Sequence, residues 1–322
     1  MTAESAGLVY VAEPVHPDAL DLIRTRGPLA VGFGPEATTF DAVRDRVAGV
    51  LVRTGTINAA MIESAPRLRV IARHGVGTDS IDVAAAARRG VRVLITPEAN
   101  AVSVAEHTIG LLIAAARRFP ECQAAVRGGT FHERDHLVGT ELAGRTLGVL
   151  GLGRIGRRVA SVAAALEMRV RAYDPFLPDG AEMPPGVERT STLAGLLEGA
   201  HACTTHVPLT PDTRGLIGGA ELDLLAPGAV LVNTARGGIV DEAALADRLT
   251  SGRLSGAGID VFTAEPPHDS PLLGVGNAVL TPHCAAHTGE SLRRMSVHAA
   301  EGIVTVLAGR VPEGVAQSVT PA

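Results

Sequence analysis

Thr146-Leu-Gly-Val-Leu150 is followed at once by Gly151-Leu-Gly153-Arg154-Ile155-Gly156, and this junction carries the signature of the architecture. The short apolar run reads as a buried parallel strand, and the glycines turn the chain into a helix predicted over Ile155–Leu166. Gly151 serves the tight turn, Gly153 lets a pyrophosphate approach the backbone, and Gly156 lets helix and strand pack closely. The phosphates then rest on the positive end of the helix, beside Arg154 and Ile155. The next strand ends in Arg171-Ala-Tyr173-Asp174, with the acidic residue 18 positions after Gly156. A carboxylate there accepts bonds from the ribose hydroxyls of NAD and repels the extra phosphate of NADP. NAD is therefore the expected cofactor, with NADP as the alternative.

Outward from this turn, β-rich runs alternate with Ala-rich helical stretches, the pattern of a parallel sheet covered by helices. Strands are predicted at Thr146–Leu150, Met168–Tyr173, Ala200–His206, Ala229–Asn233, Gly256–Asp260 and Ala278–Leu280, six in all and enough for a doubly wound sheet. An earlier series reads Leu8–Val11, Gly49–Arg53, Leu68–Ala72 and Val91–Ile95, with a helix at Asp82–Arg89 and a long one from Ala101. The amphipathic stretch Thr288–Leu307 is too short to be a domain and is expected to fold back on the first one, making it discontinuous. Pro178–Pro185 reads as a surface loop.

Composition narrows the chemistry. In 322 residues, aromatics make up 2% against 46% apolar, which suits aliphatic cores and argues against a stacking platform for single-stranded nucleic acid. A net charge of -5 leaves no basic footprint for DNA or RNA. All 29 basic residues are arginine, so Schiff-base chemistry, a P-loop lysine and lysine-based dehydrogenase mechanisms are excluded. The three cysteines have no paired spacing, the N-terminus reads as no signal peptide, and the helix from Ala101 is too short for a bilayer. A soluble, cytoplasmic protein without membrane or nucleic-acid partners is the expectation.

Reducing a 2-oxo acid with hydride needs a cation for the carboxylate, an acid for the new alkoxide, and a partner that keeps the acid charged. Arg236, in Asn233-Thr234-Ala235-Arg236-Gly-Gly, Glu265 and His283 each follow the carboxyl end of a predicted strand, where open α/β sheets bind ligands. A neighbouring carboxylate favours imidazolium, so a Glu–His pair suits acid–base work near neutrality. Ordinary surface roles are the competing reading. His283 and His287 lie four apart, but Pro282 precedes them and no carboxylate is close in sequence, so no metal site is expected. Cys284 is read as packing, and His132 and His201 as structural or surface residues.

These blocks, in this order, resemble the D-isomer-specific 2-hydroxyacid dehydrogenases over nearly the whole chain. They are Gly151–Gly156, His206-Val-Pro208-Leu-Thr-Pro-Asp-Thr213, Asn233–Asp241, Gly258–Phe262 through Glu265-Pro-Pro267, and Thr281-Pro-His283. The resemblance implies two doubly wound α/β domains, with a Rossmann NAD domain (100–284) inserted into a flavodoxin-like substrate domain (1–99 and 285–322). It implies that Arg236 binds the substrate carboxylate, that His283 is the general acid and base, and that Glu265 is its partner. Asp260 would bond the nicotinamide carboxamide, while His206, Pro208, Thr213, Thr234 and Ala235 lie near the cofactor. Backbone amides of the Arg73-His-Gly75-Val76-Gly77 loop would hold the carboxylate from the other domain, with cleft closure needed for catalysis. A homodimer, formed through the helix from Ala101 and its neighbours, is also implied.

Within the family the wording is most similar to members acting on D-3-phosphoglycerate, in Leu51-Val-Arg53-Thr, Arg73–Gly77, Gly139–Gly144 and Tyr173-Asp-Pro175. Arg53 and Arg73 would face the substrate phosphate, a role suited to guanidinium forks. The equal alternative is that they hold any carboxylate or form surface ion pairs. Thr78-Asp79-Ser80 replaces the usual Asp-Asn, and Cys284-Ala-Ala-His287 stands where small residues and serine are usual. With the sequence ending at Ala322, serine feedback through a C-terminal regulatory domain is not expected. Glyoxylate, hydroxypyruvate and other short 2-oxo acids stay open as substrates, as does a non-enzymatic role as an NAD-sensing corepressor. A formate-dehydrogenase-like activity is set aside, for want of the longer N-terminal region.

Overall fold

The computed structural model describes residues 7–178, 180–312 and 316–317. The chain divides into two compact units, one formed by 1–100 with 287–322 and the other by 101–286.

The first unit opens with strand β1 (Leu8–Val11), helix α1 (Pro17–Arg24), strand β2 (Leu29–Val31) and the single turn α2 (Phe40–Val43). It continues through β3 (Val47–Val52), α3 (Ala59–Ser64), β4 (Val70–Arg73), α4 (Val83–Arg88) and β5 (Arg92–Ile95). Every residue of β1 and β3 is buried, as expected for strands covered on both faces. Caps fix the helix starts: Asn58 accepts from the Met61 amide and Asp82 from the Ala85 amide.

The second unit begins with α5 (Ala101–Ala116) and α6 (Phe119–Arg127), then β6 (Thr146–Leu150) and α7 (Arg154–Ala165). The remaining elements are β7 (Arg169–Tyr173), β8 (Val187–Arg189), α8 (Leu193–Leu197), β9 (Ala202–Thr205), α9 (Gly219–Leu224), β10 (Ala229–Asn233), α10 (Glu242–Thr250), β11 (Leu254–Ile259) and β12 (Ala278–Leu280). They form a parallel sheet of seven strands in the order β12-β11-β10-β9-β6-β7-β8. The winding reverses between β6 and β9, the crevice where such sheets bind ligands. Register aligns the carboxyl ends. Leu150 faces both Tyr173 and Thr205, Asn233 faces Thr205 and Ile259, and Ile259 faces Leu280. The loops after six strands therefore leave one edge together.

The chain then returns to the first unit as α11 (Gly289–Leu307) and the short strand β13 (Ala316–Gln317). The sheet there runs β13-β5-β4-β3-β1-β2, parallel except for β13, with the flavodoxin-like order 2-1-3-4-5. Ala299, Ala300, Ile303 and Val306 of α11 are buried with Leu51, Val70 and Leu94 of the sheet.

Three strands lie outside the sequence reading. The sequence predicts six strands in the second unit, but β8 adds a seventh, and β2 and the two-residue β13 are extra strands in the first unit. β2 and β8 are three-residue edge strands without a fully buried face, so their sequences lack the apolar run that marks the interior strands. Pro178–Pro185 lies outside regular structure wherever it is described. Among the described residues, no helix is long and apolar enough to cross a membrane.

Candidate active site

The glycine turn is built by close approach. Gly151 has φ +89°, and a Cβ on it would lie 2.8 Å from the His206 carbonyl oxygen. A Cβ on Gly156 would sit 2.0 Å from the Gly151 oxygen, so only glycine lets α7 start this close to β6. Gly153, by contrast, faces open space, caps α7 with extended backbone, and offers no side chain to the helix amides. That leaves the positive end of a twelve-residue helix available to an anion. Asp174, directly after β7, accepts from the Leu152 amide at 2.9 Å and the Phe176 amide at 3.0 Å. Its carboxylate is thereby held against the glycine turn, where a ribose would lie. The residues present fit a dinucleotide.

The 206–213 loop crosses the same edge. Thr213 donates to the Pro208 carbonyl at 2.6 Å and its hydroxyl also accepts the Thr210 amide. His206 lies 3.1 Å from the Thr204 hydroxyl, and loss of solvation pushes its pKa down to about 3, so it is neutral at physiological pH. After β10, buried Thr234 meets Thr108 of α5 at 2.8 Å. Asn233 accepts from the Thr205 hydroxyl and the Ala235 amide and donates to the Arg236 carbonyl. This fixes the backbone carrying Arg236, whose Nη1 donates to the Ala235 oxygen at 2.7 Å.

Asp260, fully buried beyond β11, accepts from the Thr281 hydroxyl (2.6 Å), the Cys284 amide (2.8 Å) and the Ala285 amide (2.9 Å). Burial alone raises its pKa, but bonds from His107, Thr281 and the two amides outweigh it and hold the carboxyl below its usual range. Glu265 Oε2 lies 2.8 Å from His283 Nδ1, and its Oε1 accepts from the Phe262 amide at 3.1 Å. Desolvation again pushes upward, yet the His283 and Phe262 bonds prevail and keep Glu265 anionic at neutral pH. His283 has φ +50°, and its amide donates to the Asp260 carbonyl at 2.8 Å. A cleft of about 500 Å³, lined by Phe262, Glu265, Pro266, Leu280 and His283 among others, opens beside the pair.

In the first unit, Arg53 directly follows β3. Glu13 caps its turn, accepting from the Arg53 amide at 2.8 Å and the Thr54 amide at 2.9 Å. The Arg53 guanidinium lies 3.3 Å from His287 Nε2, and Arg73 donates to Ser80 at 3.1 Å. The Gly75 amide is already bonded to the Thr96 hydroxyl at 3.0 Å, which removes it from the amides expected to hold a carboxylate. The Val76 and Gly77 amides bond to no group among the described residues. His74, which the sequence reading passed over, is buried against Ser296 (3.1 Å) and the Leu292 carbonyl (3.2 Å) of α11. Burial pushes its pKa down to about 4, aided by Arg53 and Arg73. Its only sequence signal was its place inside the Arg73–Gly77 loop.

The family model for the D-isomer specific 2-hydroxyacid dehydrogenase, NAD binding domain, matches residues 109–285. A D-3-phosphoglycerate dehydrogenase of Methanocaldococcus jannaschii is 42% identical over 95% of this chain and 59% of its own length. The chain thus spans about 59% of that curated relative. Among solved structures, the TT0316 protein of Thermus thermophilus matches with TM-score 0.86 and 36% identity, covering 97% of this chain and 100% of that one. D-lactate dehydrogenase from Aquifex aeolicus, complexed with NAD and lactic acid, matches with TM-score 0.85 and 27% identity over 98% of this chain and 100% of its own.

Proposed function

This chain belongs to the D-isomer specific 2-hydroxyacid dehydrogenase family, and we propose that it interconverts a D-2-hydroxy acid and its 2-oxo acid, with D-3-phosphoglycerate and 3-phosphohydroxypyruvate as the pair. The observation that carries the reading is the 2.8 Å Glu265–His283 pair on the same sheet edge as Arg236. Bound NADH supplies the hydride. Arg236 holds the substrate carboxylate and polarises the carbonyl, while the His283 ring delivers a proton to the oxygen as negative charge develops there. Glu265 orients the ring through Nδ1 and compensates the positive charge that the proton-carrying ring bears. In oxidation the same ring takes the proton back.

Gly151, Gly153 and Gly156 with the Arg154 and Ile155 amides hold the pyrophosphate, Asp174 the ribose, and Asp260 the carboxamide. Asp174 favours NAD over NADP. Arg53 and Arg73, with the Val76 and Gly77 amides, bind the substrate's anionic ends. The phosphorylated substrate is supported by the M. jannaschii relative's name and by the two arginines at neighbouring strand ends. Homodimerisation is supported by exposed Phe119, Val126, Phe131 and Val138, which crowd one segment after α5; α5 itself is largely buried inside its own unit.

The test is NADH oxidation with 3-phosphohydroxypyruvate, hydroxypyruvate, glyoxylate and pyruvate, with Arg53→Ala run alongside. A preference for the phosphorylated acid that disappears in the variant is the expected outcome. Preference for an unphosphorylated acid keeps the reaction and removes the phosphate assignment.

A further inference from the structure

Three side chains of the second unit converge although they lie far apart in the sequence. His107 projects from α5, Asp260 follows β11, and Cys284 follows His283. One donor atom from each lies within 4.8 Å of the other two. His107 Nε2 is 3.5 Å from Asp260 Oδ1 and 3.0 Å from the Thr281 hydroxyl.

Imidazole, carboxylate and thiolate together form a donor set suited to zinc, and the sulfur weighs against magnesium or calcium. Zinc bonds of about 2.0–2.3 Å in a tetrahedral arrangement place neighbouring donors roughly 3.5 Å apart. The His107–Asp260 pair already has that spacing, and the thiol needs a shift on the order of 1 Å, within reach of a side-chain torsion. The geometry points to a site for a zinc-class divalent cation at His107, Asp260 and Cys284, whose occupation inhibits the enzyme. On binding, the thiol loses its proton to solvent, and the His107 ring proton moves from Nε2 to Nδ1 by exchange with solvent. Zn–N, Zn–O and Zn–S bonds replace bonds from the ion to water, and the His107 and Thr281 contacts to Asp260 are given up. No electrons are transferred.

Asp260 is well hydrogen-bonded without an ion, so the cation is a reversible ligand and the fold does not depend on it. The inhibition rests on the dehydrogenase reading, in which Asp260 binds the carboxamide, whereas the ion site does not. Ion and dinucleotide draw on the same carboxylate. Occupation also pulls on both sides of His283, whose amide donates to the Asp260 carbonyl and whose neighbour Cys284 supplies the sulfur.

The full chain, with thiols reduced, is titrated with Co²⁺ alone and then with Zn²⁺. One equivalent of Co²⁺ should produce a thiolate-to-cobalt charge-transfer band in the near ultraviolet, which Zn²⁺ bleaches. The band should be absent in Cys284→Ser and weakened in His107→Ala. In the NADH assay, Zn²⁺ should raise the apparent KM for NADH and a chelator should restore it. Loss of even an outer partner of a metal ligand costs about 10–100-fold in affinity, so Cys284→Ser should need at least about 100-fold more zinc for the same inhibition. Zinc-free turnover in that variant should match the unmodified chain, which shows that the fold is intact. Absence of the band, its persistence in Cys284→Ser (pointing to Cys122), or equal zinc sensitivity in the variant overturns the site. A Cys284-dependent band in a protein that reduces no substrate upholds the ion site and removes the dehydrogenase reading; turnover without the band does the reverse.

Discussion

His283 carries its imidazole on a backbone with φ +50°, a conformation that costs a non-glycine residue energy and persists only where its surroundings enforce it. The enforcement is visible: its amide donates to the Asp260 carbonyl, and the next two amides bind the Asp260 carboxylate. The residue thus owes its aim to Asp260 and its charge partner to Glu265. Replacing His283 with alanine should lower turnover by about 10²–10⁴-fold, the usual yield of general acid–base catalysis. NADH affinity, measured by fluorescence titration, should stay within about threefold because no proposed cofactor contact is lost. Glu265→Gln keeps the shape and removes the negative charge that orients and compensates the ring, so it should lower kcat by up to about 10⁴-fold, with substrate KM little changed. If His283→Ala retained full turnover, the proton assignment would fail. Arg236, Glu265 and His283 were legible in the sequence because each follows a predicted strand end. The His107–Asp260–Cys284 cluster was not, because the three residues meet only through the packing of α5 on the sheet.

The elements bring these residues together by backbone contact as well as by register. A Cβ on Gly237 would lie 1.8 Å from the Phe262 carbonyl oxygen and 2.0 Å from its carbon. The turn after Arg236 therefore rests directly on the segment that leads to Glu265. Gly237→Ala must force the two loops apart, and a misplacement of about 1 Å can cost on the order of 10²-fold in rate. The expected result is a kcat loss of roughly that size together with about 1–3 kcal/mol of lost stability from overpacking. Gly276→Ala, where the added methyl meets nothing within 4 Å and φ is not positive, should change neither quantity. Equal behaviour of the two variants in kinetics and urea unfolding would sever the proposed link between the loops. At this scale the sequence revealed the interior strands through their continuous apolar runs. It concealed β2 and β8, whose three residues at a sheet edge carry too little hydrophobic pattern, and it placed the start of β3 at Gly49 although Val47 and Ala48 are buried in the strand.

For the whole molecule, acid should act with one sign. His74 has its folded pKa lowered from 6.5 to about 4, and His206 to about 3, so the unfolded chain binds more protons than the folded one below the ordinary histidine range. Stability from these neutral imidazoles is complete above pH 6.5 and declines as the pH falls toward those folded values. Asp260 and Glu265, both held below their ordinary pKa, contribute stability above the unfolded carboxyl range that is lost as the pH falls through their folded values, so they steepen the decline at its acid end. With its pKa lowered to about 4, His74 alone should withdraw about 2 kcal/mol between pH 7 and pH 5. The chain has no tryptophan and only two tyrosines, Tyr10 in the first unit and Tyr173 in the second. In a Tyr173→Phe background, tyrosine emission therefore reports unfolding of the unit that contains His74. Urea unfolding at the two pH values should show that loss, and His74→Gln, which keeps a polar group near Ser296 without a titrating nitrogen, should remove most of it. An undiminished pH dependence in His74→Gln would mean that the buried imidazole is not what makes the first unit sensitive to acid, and that the destabilising proton binds elsewhere in it.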